Sequence, residues 1–147
     1  MSTPGETSDV ERLMLEWNAL RVTEAYRRAT FLTQRDTAVE RWNSHGPHGA
    51  TESEHVQFRL SRTEMALREI VELEESSDAS FNRCRVEIDA SASLAPKDRR
   101  KALSAIRDTC VDAQRVAMRY RHTLVTTFQH EVKELTTYIE DRLEEAG

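Results

Sequence analysis

The side chains able to do chemistry are few and scattered. His45 and His48 fall in a stretch rich in Gly and Pro, and His122 and His130 in a long charged run. The fifth histidine closes Glu52-Ser53-Glu54-His55, a Glu-x-x-His spacing. On a helix that spacing sets both groups on one face, and bundle proteins hold di-metal centres this way, but with two copies of the motif and further glutamates from other helices. This chain has no second copy, so neither metal nor cofactor is expected. Glu74 and Asp36 interrupt apolar rows, yet acid–base catalysis needs a cleft and a second titratable partner. Glu74 is instead expected to accept a hydrogen bond from Tyr120. No nucleophile elbow or Gly-rich loop accompanies the serines. Cys84 and Cys110 read as small buried hydrophobes rather than a disulfide. The expectation is a protein with no catalytic residues and no small-molecule substrate.

The elements are far more legible. From Val56 an apolar row runs through Leu60, Thr63, Leu67, Ile70, Glu74, Ser77, Phe81, Cys84, Ile88 and Ser91 to Ala95 in alternating steps of four and three. That spacing keeps one stripe of a long helix against a partner. Ser8 with Glu11, and Thr51 with Glu54, have the spacing of capping boxes. The run Asn43 to Gly49 holds the residues that end helices, and Pro96 suits the first turn of another. The sequence therefore predicts a disordered stretch 1–7 and one domain over 8–147, with helices at about 8–42, 52–93 and 96–145. The fold class is all-α, an elongated antiparallel three-helix coiled coil or bundle.

In the third helix the row is Leu103, Ile106, Cys110, Ala113, Ala117, Tyr120 and Leu124, then mostly steps of four from Phe128 to Leu143. Such steps relax a left-handed supercoil. The first helix offers two rows, Val10-Leu13-Trp17-Leu20 and Val22-Ala25-Ala29-Leu32-Val39, a breadth suited to two neighbours. Folding about Lys97 sets Ile70 by Leu124, Phe81 by Ala113, Ser77 by Ala117 and Cys84 by Cys110. Folding about residue 47 adds Trp17 to the Ser77 layer and places Trp42 and Phe58 to clasp across the loop.

The 147 residues are 38% hydrophobic and 32% charged, a lean apolar content that fits slender helices. A net charge of -5 argues against nucleic acid as a partner. No secretory signal or membrane span is evident, so the chain reads as soluble, intracellular and cytoplasmic. In the register above the first helix stops short, near Arg85, and leaves a bare two-helix arm. Its apolar Val86, Ile88, Leu103 and Ile106 are then expected to need a partner. Its tip is basic, seven cations (Arg83, Arg85, Lys97, Arg99, Arg100, Lys101, Arg107) against Glu87, Asp89 and Asp98. Partners are expected to be other proteins, in a homo- or hetero-oligomer, with an anionic membrane surface as the alternative ligand of the tip. The function this implies is a non-enzymatic adaptor or scaffold within a larger assembly.

The stretch Ala25-Tyr26-Arg27-Arg28-Ala29-Thr30-Phe31-Leu32-Thr33-Gln34-Arg35-Asp36-Thr37-Ala38-Val39-Glu40-Arg41-Trp42, followed by a polar loop and a long charged helix, resembles the second-to-third helix passage of sorting-nexin-type BAR domains. The likeness covers about eighteen residues plus the helix lengths. It implies a dimer of curved three-helix coiled coils that binds membranes or trafficking coats through basic surfaces, a peripheral membrane protein of vesicle trafficking. The chain departs from that family in its shortness, its acidic balance, the break at Pro96 and the lack of a lipid-binding companion domain.

Overall fold

The computed structural model describes residues 4–146, with side chains from residue 9. Among these residues the protein is all-α: α1 (Pro4–Ser44), α2 (Ala50–Ser91) and α3 (Pro96–Ala146), with no strand. Pro4 opens α1 four residues ahead of the expected start at Ser8, because a proline's missing N–H costs nothing in a first turn. Residues 4–7, expected to be disordered, thus belong to the helix, and residues 1–3 lie outside the described residues. α2 likewise starts before Glu52, its Ser53 N–H donating to the Gly49 carbonyl at 3.0 Å. Among the described residues no helix is long and apolar enough to cross a membrane.

The chain forms two compact units, each drawing on all three helices. In unit 1 (residues 4–22 and 71–121) the core joins Val10, Leu13 and Trp17 of α1, Phe81 and Cys84 of α2, and Leu103, Ile106, Cys110 and Ala117 of α3. Trp17 stacks on Phe81 with ring centroids 6.0 Å apart, and its indole N–H donates to Asp78 at 3.1 Å. Large rings against Ala117 let the layers interdigitate. Cys84 and Cys110 are free and buried.

Unit 2 (residues 23–70 and 122–146) holds two clusters. One gathers Phe31, Ala66, Ile70, Val125, Phe128 and Val132, and Leu124 packs against it. The other gathers Ala38, Trp42, Val56, Leu135 and Ile139. Trp42 does not clasp Phe58, which is exposed. The imidazole of His48 stacks on the indole instead at 3.4 Å, while its Nε2–H donates to the Trp42 carbonyl at 2.6 Å.

The α2 row lies inward along nearly its whole length, only Ala95 being exposed. Two rows run differently from expectation. On α1 the buried line is a heptad, Val10, Trp17, Glu24, Phe31, Ala38, and Val22 of the expected second row is exposed. On α3 the four-residue steps begin at Ala117, so Arg121 and Val125 turn inward and Tyr120 outward.

Candidate interaction surface

Unit 1 corrects the expected bare arm. Asp9 reaches Arg107 at 3.3 Å, and Val10 shares one core with Leu103 and Ile106, which are 0% and 3% exposed. Trp17 meets Phe81 rather than Ser77, so α1 sits about one helical turn further along than the expected register, and Val10 and Leu13 supply the missing cover; Leu103 and Ile106 need no outside partner. Ile88 is half-buried against the same core.

What remains outside is a mixed surface. Val86 (67% exposed) stands on α2 between the exposed Arg85 and Glu87, one helical turn from Arg83. A groove of about 400 Å³ between α1 and α2 is lined by Leu15, Met14, Ile88, Glu11, Arg85 and Asp89. The turn from α2 to α3 is tight, with the Leu94 N–H donating to the Ser91 carbonyl at 3.1 Å, and it lifts Leu94 outward at 44% exposure. Lys97, Arg100 and Lys101 follow on exposed positions, Arg99 is half-buried, and Arg107 is held by Asp9. An exposed apolar group such as Leu94, followed by cations, can bury a small contact while steering a negatively charged partner.

A second concave surface, about 530 Å³, lies in unit 2 above the half-buried Val39 and Leu60. Asp36, Glu40 and Glu64 wall it with Arg35, which pairs with Asp36 at 3.2 Å and also with Glu64. Three carboxylates against one guanidinium leave the wall net acidic.

The polar seam residues do structural work. Glu74 is not opposite Tyr120: the wholly buried Arg121 takes that place, with Nη1 2.7 Å from the Glu74 carboxylate and the guanidinium over the Trp17 ring at 5.6 Å. The angle makes this contact an ion pair rather than an aligned hydrogen bond. Glu24, also buried, lies 3.5 Å from Arg27 and 3.9 Å from His122. Sequence reasoning passed over both because charged residues are normally solvated. The signal available was spacing: Arg121 is four residues from both Ala117 and Val125, and Glu24 is seven from Trp17 and Phe31. Asp36, the other polar intrusion, is largely exposed. His55 stacks on Tyr138 at 3.9 Å. Among the described residues no group of His, Cys, Asp or Glu is placed to hold a metal ion.

The fold and its surfaces define a helical-bundle protein. Comparison with family models, with curated proteins and with solved structures found no match.

Proposed function

We propose that this chain is a non-enzymatic adaptor or scaffold, an antiparallel three-helix bundle that holds other proteins through the exposed surface of unit 1. The contacts within each unit support the antiparallel arrangement. In unit 1, Asp9 and Glu16 meet Arg107 and Gln114 in ascending order, and in unit 2, Arg27 and Arg41 meet Gln129 and Glu140 likewise. Arg35 meets Glu64 while Trp42 shares a core with Val56, a descending order on α2. The observation that carries the adaptor reading is the conjunction of exposed Val86 and Leu94 with Arg83, Arg85, Arg100 and Lys101, after Leu103 and Ile106 have been covered internally.

A second reading, a BAR-like peripheral membrane protein, is favoured by the exposed Leu94 among basic residues, which suits an anionic headgroup layer. Flotation with phosphatidylserine-rich vesicles separates the two, run beside affinity capture from cells with wild type and Arg99→Glu/Arg100→Glu/Lys101→Glu. The adaptor reading expects no flotation and a stoichiometric protein partner lost in the triple variant. Flotation abolished by the same variant would instead establish the membrane reading.

A further inference from the structure

We propose that the acidic groove of unit 2 receives the basic α2–α3 turn of a second copy of this chain. The inference rests on the reading of that turn as a protein-binding surface and names its partner. The turn presents one apolar side chain, Leu94, followed by Lys97, Arg99, Arg100 and Lys101 against the single acid Asp98. The groove presents the inverse: an apolar floor of Val39 and Leu60 and a wall of Asp36, Glu40 and Glu64 against the single cation Arg35. Its volume of about 530 Å³ accommodates a leucine side chain together with a basic one. Arg35 is itself engaged by Asp36 and Glu64, so the groove's uncompensated charge is negative.

The match uses two different patches of one chain, which makes the contact heterologous. Each copy that inserts its turn keeps its own groove for another. With one apolar anchor and solvent-exposed charges, the association depends on concentration and on ionic strength.

Sedimentation equilibrium of the full chain tests this, with three variants at exposed positions: Leu94→Asp, Arg100→Glu/Lys101→Glu at the turn, and Asp36→Lys/Glu40→Lys at the groove. Circular dichroism melts verify that each is folded. Wild type is expected to gain mass with concentration, and raising salt from about 50 mM to about 500 mM should weaken association roughly tenfold or more. Each variant alone should stay monomeric. Mixing the Leu94→Asp and groove-reversed variants leaves one intact groove and one intact turn, while the altered turn, still basic, is repelled by the lysine-lined groove, so the mixture should form a one-to-one dimer and stop there. A monomeric wild type at all concentrations, association that survives both reversals, or a mixture that stays monomeric would each overturn the proposal. A monomeric wild type that still captures a separate partner through Arg100 and Lys101 would overturn it while leaving the adaptor reading intact.

Discussion

Cys84 and Cys110 lie side by side in the core of unit 1, and the Cys84 Sγ–H also points to the Ile106 carbonyl at 3.9 Å. Burial pushes both thiols up, Cys110 from its ordinary 9.0 to about 12, with the neighbouring Cys84 adding to the effect. A neutral thiol is what the fold favours, so the stabilisation is fully present below about pH 9 and is lost as the pH climbs towards about 12. We expect native protein at pH 8 to leave a thiol reagent unconsumed until urea is added. The urea midpoint should fall above about pH 9, and Cys84→Ala/Cys110→Ala should flatten that fall. An equal alkaline loss in the double variant would assign it to other groups.

Between elements, the decisive contact is the guanidinium of α3 lodged among α1 and α2. Arg121 is buried, and removing the carboxylate 2.7 Å away leaves its charge poorly compensated. Glu74→Leu is therefore expected to cost about 3–5 kcal/mol in urea unfolding. The double replacement Glu74→Leu/Arg121→Met should recover most of that, since well-packed apolar groups commonly match a buried ion pair in stability. A double variant as unstable as the single one would mean that the pair is worth more than its apolar substitute. The ion pair also marks where the α3 seam changes step. A row through Tyr120 and Leu124 would have placed a phenol inward, and the step of four from Ala117 places Arg121 there instead.

For the whole molecule, two compact units with separate apolar clusters share three continuous helices. Leu103 is fully buried in unit 1, and Leu103→Ala is expected to cost about 2–5 kcal/mol. If each unit is held by its own core, amide exchange in that variant should accelerate in residues 4–22 and 71–121 more than in 23–70 and 122–146. A uniform acceleration would show one cooperative unit instead. The charge is also distributed by unit: the basic turn belongs to unit 1 and the acidic groove to unit 2, although the chain as a whole carries -5. An assembly built on that division responds to salt far more than its modest net charge suggests.

By itself the sequence determined the helical class, the placing of the two connections and the inward row of α2. These follow from local properties: between residues 6 and 146 the glycines and prolines are confined to two places, and an apolar period is kept over some forty residues. It also marked Val86 and the basic turn as surface. Only the tertiary structure decided that α1 sits about one turn further along than expected, so that Val10 and Leu13 cover Leu103 and Ile106, that Glu24 rather than Val22 lies in the α1 seam, and that Arg121 rather than Tyr120 faces Glu74. The physical reason is the same each time. Whether a side chain, apolar or charged, is buried depends on the group it meets on another helix, and periodicity along one helix carries no information about that partner.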